Sequence, residues 1–315
     1  MVAPYQNREH RNGDGRSCYG FTIRSRYPLK FVRHGGGKET LEVVHSLTPL
    51  QPTSAATLLL ERTLGDPNAE VTARLYDENG ILHFWTSDAG WYRIDPQARR
   101  IEMSDHADEI RREQRLWGIP AALCLKDRGD LVFHAAAVEV NGAAILLAAP
   151  GRFGKTTLAL AFHKNGYRLL TEDTACCSVS SDPAVFPGPT CIRLRPDMFD
   201  GDAPAGTTVT AVRNDRVHLA LDPDRRGDSQ PVPLKAVVFL RESPDGVRVE
   251  RVRGGEVLPD LWTLALRFQS DAERRRSFSQ LTRLAGTVPI WNLYRPLQVE
   301  KLDEVVSKLV ETCCQ

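Results

Sequence analysis

Short apolar segments separated by turn-forming residues dominate the chain up to Asp105, and they predict β-strands. The Asn79-Gly80 dipeptide lies between two of these segments, where it predicts a tight hairpin turn. A glycine run at residues 35–37 marks another turn. The predicted strands are residues 20–27, 41–44, 71–76, 81–86, 90–94 and 101–104. Their succession is that of a β-meander.

A charge-rich helical pattern follows these strands and marks a change of organisation. Residues 106–117 place charged side chains at helical spacing, and residues 119–125 extend the pattern. We expect the charged residues to form a solvated face; they are Asp108, Glu109, Arg111, Arg112, Glu113 and Arg115. We place a boundary near residue 115, which gives a disordered N-terminus at 1–16, a β-rich part at 17–115 and a larger part at 116–315. No proline- or serine-rich linker separates the two parts, so we expect them to pack together.

Strands and helices alternate in the second part of the chain. Residues 131–140 and 143–149 predict two strands joined by Asn141-Gly142, a second hairpin signal. Residues 156–164 predict a helix that stops at Asn165-Gly166, before a strand at 167–171. Further predicted strands are 232–240, 247–252 and 288–294, and further predicted helices are 258–268, 273–285 and 297–310. No regular element is predicted for 183–196 and 200–215, and 222–229 predicts an exposed, mobile insertion.

Composition narrows the class of protein without adding a function. The chain has 315 residues, 42% of them hydrophobic and 26% charged, as in an ordinary soluble protein. A formal net charge of +1 gives no overall attraction to nucleic acid or to an anionic membrane, so we expect neither as a partner. The apolar segments are too short to cross a bilayer. The seven cysteines lack zinc-site spacing and are odd in number, which favours free thiols in a cytoplasmic protein.

The stretch between the second hairpin strand and the following helix matches a phosphate-binding loop of Walker A type. Ala149, Gly154-Lys155 and Thr156 occupy the defining positions. Such a loop turns its amides toward phosphate oxygens, its lysine reaches the outer phosphates, and its hydroxyl binds Mg²⁺. The alternative is an ordinary turn between a strand and a helix. The expected nucleotide contacts are Gly151, Arg152, Phe153, Gly154, Lys155, Thr156 and Thr157.

Three more residues around this loop are candidates for chemistry. Glu172 and Asp173 follow the strand after the helix, where paired carboxylates can hold Mg²⁺ or deprotonate a hydroxyl. The alternative for this pair is a solvated strand end. His134 lies one hairpin before the loop, and an isolated histidine there can equally be structural.

The segments 133–142 and 165–173, together with the loop between them, resemble bacterial HPr kinase/phosphorylase. They are more closely similar to the HPr kinase-related proteins of peptide natural-product gene clusters. The resemblance extends weakly to 231–240 and 288–294. It implies an α/β fold with a P-loop core like that of phosphoenolpyruvate carboxykinase, preceded by a β-rich N-terminal part. It also implies phosphorylation of a serine hydroxyl with ATP and Mg²⁺.

The resemblance also implies roles for individual residues. Lys155 would hold the β- and γ-phosphates, and His134 would lie beside the transferring phosphate. Thr156 and Glu172 would bind the metal, and Asp173 would contribute to that site and act as the base. Glu172 stands where the family usually has Asp, which alters the reach of this carboxylate by one methylene.

The segment after the acidic pair distinguishes family members that also remove the phosphate from those that act only as kinases. Residues 186–196 lack the Arg-Gly signature of true HPr kinase/phosphorylases, so we expect no dephosphorylation activity. Arg193 in this segment is a candidate for stabilising charge on the transferring phosphoryl group, and Arg216 is a weaker one. For both, the alternative is a surface arginine.

The sequence therefore predicts an ATP- and Mg²⁺-dependent kinase acting on a serine or other hydroxyl of a peptide or small protein, such as a lasso-peptide precursor. One alternative is a kinase of the same fold for a free amino acid or sugar. Another is a regulatory module that binds a nucleotide without turnover. The β-rich part is the natural candidate for docking the acceptor. The oligomeric state is left open, a homo-oligomer included.

Overall fold

The chain forms two large β-sheets, a small one and six α-helices within residues 15–64, 70–267 and 270–313, the part described by this computed structural model. The first part contains β1 (Arg16–Cys18), β2 (Phe21–Ser25), β3 (Arg33–His34), β4 (Glu39–His45), β5 (Thr57–Leu64), β6 (Val71–Glu78), β7 (Ile81–Thr86), β8 (Gly90–Asp95) and β9 (Arg100–Met103). These form one sheet in the order β3-β1-β2-β4-β9-β8-β7-β6-β5.

The α-helices and the remaining strands follow the first sheet along the chain. The helices are α1 (Glu109–Leu116), α2 (Ile119–Arg128), α3 (Lys155–Lys164), α4 (Leu258–Leu264), α5 (Asp271–Thr287) and α6 (Leu302–Cys313). The strands are β10 (Leu131–Val140), β11 (Ala143–Ala148), β12 (Arg168–Thr171), β13 (Thr174–Ser178), β14 (Ala184–Phe186), β15 (Cys191–Leu194), β16 (Thr207–Val212), β17 (Val217–Leu221), β18 (Val232–Glu242), β19 (Arg248–Val252) and β20 (Ile290–Arg295).

The predicted meander is confirmed from β6 to β9, which pair antiparallel in chain order, but it is wrong for β2 and β4, because β4 runs parallel to both β2 and β9. Strands β6 and β7 pair through Glu78 and Ile81, and Asn79 and Gly80 between them have φ of 57° and 85°, as a type I′ turn requires. Strand β5 is absent from the sequence prediction. The predicted disordered segment 1–16 lies largely outside the described residues, but its last residue, Arg16, begins β1, so the prediction is wrong there.

Helices α1 and α2 connect the two parts. The buried residues of α2, such as Ala122 and Leu125, share one hydrophobic cluster with Tyr92 of the first sheet and Cys176 of the second part. The two parts therefore pack together, as expected. The predicted solvated face of α1 is wrong for Arg112 and Glu113, which are each 2% exposed.

The second large sheet carries the predicted loop at one edge. Strands β10 and β11 form the expected hairpin, and β11, β18 and β20 are parallel neighbours. Ile145 and Leu147 face one hydrophobic cluster with α3 and α6, whereas Ala144 and Leu146 face another with α4 and α5. Because helices cover both faces, β11 appears in the sequence as an unbroken apolar run. The carboxyl ends of the three parallel strands meet at the edge where the loop begins.

The segments between residues 183 and 229 differ from the prediction. They contain β14 and a small sheet in the order β15-β17-β16, because pairing with distant strands overrides the irregular local sequence. The insertion 222–229 is held by hydrogen bonds: Arg225 Nη2 donates to the His163 carbonyl at 2.9 Å. Ser229 is 4% exposed, so the prediction of an exposed segment is wrong at that end.

Two expectations from composition can be compared with the described residues. Their cysteines are free thiols, namely Cys18, Cys124, Cys176, Cys177, Cys191 and Cys313. No helix among these residues has the length and apolar character needed to cross a membrane.

The predicted helix 258–268 is shorter than expected, since α4 ends at Leu264 and residue 268 lies outside the described part.

Candidate active site

The loop between β11 and α3 has two residues in the left-handed backbone region. Arg152 and Gly154 have φ of 71° and 72°, in the left-handed region, and α3 begins at Lys155. Lys155 is 7% exposed, and its Nζ donates to the carbonyls of Ala149 at 2.8 Å and Pro150 at 3.0 Å. Burial lowers the pKa of Lys155. The loop therefore holds a buried ammonium group beside a helix N-terminus, which favours an anion.

Glu172 lies directly against the first turn of α3. It follows β12 and is 6% exposed, and its carboxylate accepts a hydrogen bond from the Thr156 hydroxyl. Burial raises the pKa of Glu172, and the neighbouring charge of Asp173 raises it further. Two of the three residues expected to bind the metal, Thr156 and Glu172, are thus in direct contact.

Asp173 is held between two cationic or polar partners. Its Oδ1 lies 3.4 Å from His134 Nδ1, and its Oδ2 lies 2.6 Å from Arg193 Nη2. Desolvation alone would raise the pKa of Asp173, but the charges of Arg193, of His134 once acid protonates it, and of Lys155 outweigh it and lower the pKa to about 2. Asp173 is therefore ionised at neutral pH.

His134 reaches Asp173 because of strand pairing. It lies on β10 opposite Thr174 of β13, the residue next to Asp173. Desolvation lowers the pKa of His134 despite the opposing charge of Asp173, so the imidazole is neutral at pH 7. Its side chain is 47% exposed and that of Asp173 is 36% exposed, so both can be reached from solvent.

Arg193 is brought to the acidic pair by the small sheet. Strand β15 carries it, pairing antiparallel with β17. Besides its contact with Asp173, its Nε lies 3.9 Å from Glu172 Oε2, and the charge of Asp173 raises the pKa of Arg193. Arg193 is therefore paired with the acidic residues, and its role in stabilising charge stays a prediction.

A cleft of about 360 Å³ joins these groups. The predicted residues that line it are His134, Gly151, Arg152, Gly154, Lys155, Thr156, Thr157, Glu172, Asp173, Arg193 and Arg216. Phe153 is the exception, since it packs against the hydrophobic cluster under α3. Residues that sequence reasoning missed also line the cleft: Leu194, Arg195, Met198, Arg295, Leu297, Gln298, Val299 and Leu302. They come from the end of β15 and the residues just after it, and from the stretch that runs from the last residue of β20 to the first residue of α6.

The donor chemistry of the site fits Mg²⁺ bound together with a phosphate ligand. In the described part of the chain, no three His, Cys, Asp or Glu side chains form a self-sufficient metal cluster. Thr156 and Glu172 nevertheless place a hydroxyl and a carboxylate oxygen together, with Asp173 adjacent. Mg²⁺ prefers such oxygen donors and commonly completes its coordination with phosphate and water.

Comparison with solved structures gives distant likenesses. No protein-family model matches the chain, and no curated protein matches it. Among solved structures, the HPr(Ser) kinase/phosphatase from Coxiella burnetii is similar at 10% sequence identity and a TM-score of 0.31. The likeness covers 57% of this chain and 93% of that one. At this TM-score the relation is remote, and the chemistry of the site must be inferred from its own residues.

Proposed function

We propose that this protein is an ATP- and Mg²⁺-dependent kinase that phosphorylates a serine or other hydroxyl on a peptide or small protein. The observation that carries the proposal is the convergence of Lys155, Glu172, Asp173 and Arg193 on one cleft. They come from three places in the chain: Lys155 begins α3, Glu172 and Asp173 form the turn between β12 and β13, and Arg193 lies on β15. A phosphate-binding lysine, an ionised carboxylate and an arginine are groups that phosphoryl transfer to a hydroxyl commonly uses, together with metal ions.

The nucleotide side of the cleft would be formed by the loop. Its amides and Lys155 would bind the phosphate chain, for which Lys155 exchanges the carbonyls of Ala149 and Pro150 for phosphate oxygens. Bound Mg²⁺ would neutralise charge on the phosphates. Thr156 and Glu172 would hold that ion, since their oxygens already lie together at the start of α3.

Asp173 would accept a hydrogen bond from the acceptor hydroxyl. A carboxylate with a pKa of about 2 is a weak base, so its main contribution is to orient the hydroxyl for in-line attack. The loose transition state of phosphoryl transfer needs little early deprotonation, which suits such a group. Arg193 would stabilise charge on the transferring group, and neutral His134 would lie beside it.

The accessibility of Asp173 supports an acceptor group carried by a peptide or protein. Its side chain and that of His134 are 36% and 47% exposed, so a hydroxyl on an extended chain can reach them without entering a closed cavity. A peptide natural-product precursor such as a lasso-peptide precursor is our specific proposal, with the sheet β1 to β9 as its docking surface.

Phosphotransfer by the purified full-length chain tests this function. The protein is incubated with ATP, Mg²⁺ and serine-containing precursor peptides, and phosphopeptides are detected by mass spectrometry. We expect phosphate on a serine, and loss of both ATP binding and transfer in Lys155→Ala. Lys164→Ala is the matched control, because Lys164 is exposed at the other end of α3.

Each other outcome has a defined meaning. Transfer to free amino acids or sugars, and to no peptide, would replace the acceptor class. ATP binding without transfer to any acceptor would favour a regulatory module. Unchanged ATP binding in Lys155→Ala would overturn the assignment of the loop.

A further inference from the structure

Arg295 lies beside the loop, although no sequence pattern around it predicts this position. It is the last residue of β20, which runs parallel to β18 and, through β18, to β11. Ala148 at the end of β11 is level with Phe239, and Phe239 is level with Asn292. Arg295 therefore lies beyond the end of β11, at the level of the loop.

The guanidinium of Arg295 contacts the loop itself. Its Nη2 donates to the carbonyl of Phe153 at 3.1 Å and approaches that of Gly154 at 3.5 Å. A Cβ atom on residue 154 would come within 2.5 Å of this Nη2. Glycine at position 154 therefore accommodates the arginine as well as the left-handed backbone.

Arg295 is a buried cation whose hydrogen bonds are incomplete. It is 2% exposed, and burial lowers its pKa. Its Nη1 donates to the Pro296 carbonyl at 3.3 Å, whereas its buried Nε has no partner. Among the described carboxylates, Glu242 acts on it only through space. A buried charge without an anionic partner is costly, and a bound anion removes that cost.

Arg33 shows how a structural arginine differs in the same protein. It is 1% exposed, and its Nε donates to the Gly188 carbonyl at 2.9 Å. Its Nη2 donates to the carbonyls of Leu169 and Leu170, and its Nη1 to that of Arg226. Every nitrogen of Arg33 is therefore satisfied by main-chain carbonyls, whereas Arg295 keeps an unpartnered nitrogen and borders the cleft.

We infer that Arg295 is a second phosphate-binding cation of the site, contacting the phosphate chain of the bound nucleotide. The inference rests on the proposed nucleotide binding at the loop, but it does not depend on phosphate transfer. Arginine suits this task because its fixed fork of donors matches phosphate oxygens. Lys155 and Arg295 would then bind the polyphosphate from two different elements.

Binding of inorganic tripolyphosphate to the full-length chain tests the inference without requiring activity. Affinity is measured by calorimetry, and the melting midpoint is measured with and without ligand. In Arg295→Met we expect the affinity to fall about tenfold or more, since a charge-assisted hydrogen bond is lost. The ligand-free midpoint should stay at the wild-type value or rise, because an uncompensated buried charge has been removed.

Arg33→Met is the matched control, and it should lower the ligand-free midpoint because several carbonyls lose their donor. Wild-type tripolyphosphate affinity in Arg295→Met, together with a lowered ligand-free midpoint, would overturn the inference and make Arg295 a structural clamp. If Arg295→Met does not fold, the same two measurements on Arg295→Lys test the inference. A wild-type midpoint with weaker binding supports the inference, and unchanged binding refutes it.

The outcomes also separate this inference from the proposed function. Loss of binding in Lys155→Ala, with full binding in Arg295→Met, would refute the role of Arg295 alone. Absence of tripolyphosphate and ATP binding in the wild-type chain would refute both. Binding that depends on both residues without any phosphate transfer would refute the kinase and leave Arg295 as a phosphate ligand.

Discussion

Two groups of buried charges, one on α1 and one at the loop, are stabilised in different ways. Glu113 on α1 accepts hydrogen bonds from the main-chain amides of Lys30 at 2.7 Å and Phe31 at 2.8 Å. Glu172 and Asp173 at the loop are instead held by side chains. The amides of Lys30 and Phe31 lie in the connection between β2 and β3 and need this acceptor as part of the fold, whereas the side-chain partners at the loop can turn toward a ligand. The first group therefore holds the fold, and the second is suited to chemistry.

The largest expected effect is on catalysis at the loop. Asp173→Asn keeps the shape of the side chain but removes its charge, so we expect the rate of peptide phosphorylation to fall about a thousandfold. ATP binding should remain. Steady-state kinetics and nucleotide titration measure the two quantities, and Asp182→Asn at an exposed site is the control. Full activity in Asp173→Asn would remove Asp173 from the reaction.

A substitution on α1 is expected to lower stability rather than catalysis. Glu113→Ala leaves buried amides of Lys30 and Phe31 without an acceptor, so the free energy of unfolding should fall by about 3 kcal/mol. Urea unfolding at neutral pH measures this loss. Glu109→Ala is the matched control on the same helix, since the Glu109 side chain is 52% exposed. Equal losses in the two variants would contradict the distinction between the two charge groups.

Acid should affect the loop through Asp173. Its pKa is about 2 in the folded protein and about 3.9 in an unfolded chain. A lowered folded pKa contributes stability that is present above pH ~4 and is lost as the pH falls toward 2. We therefore expect the stability difference between wild type and Asp173→Asn to change across this range in favour of the variant. Urea midpoints at several pH values measure it, and a constant difference would contradict the assigned ion pairs.

The smallest effect is expected from shortening the side chain of Glu172, the proposed metal ligand. Glu172→Asp withdraws the carboxylate from the Thr156 hydroxyl by one methylene. The Mg²⁺ concentration for half-maximal activity should rise by less than about tenfold, because the carboxylate is retained. A Mg²⁺ titration of activity measures it, with Glu172→Gln as the variant that loses the charge. Identical titrations for all three proteins would exclude Glu172 from metal binding.

Local signals explain which parts of the fold were predictable. The hairpin at Asn141-Gly142, the helix α3 and the strand β12 each carry their own turn and capping residues, and they appear where expected. Strands β13 to β17 lie in a proline- and glycine-interrupted stretch without such signals, and β13, β14 and β15 also pair with strands more distant in the chain, namely β10, β18 and β17. The charged face of α1 misled the prediction because charge suggests solvent, whereas the first sheet covers Arg112 and Glu113.

The sequence by itself determined the strand, loop and helix around residues 149–156 and the order of the acidic pair behind them, because both are contiguous and depend on local backbone geometry. It also determined His134 as a candidate from its place one hairpin before the loop. Only the tertiary structure decided that Arg193 joins Asp173 and that Arg295 lies against Phe153. Those contacts are made by strands paired across the sheets, and the register of distant strands is set by packing that no local pattern encodes.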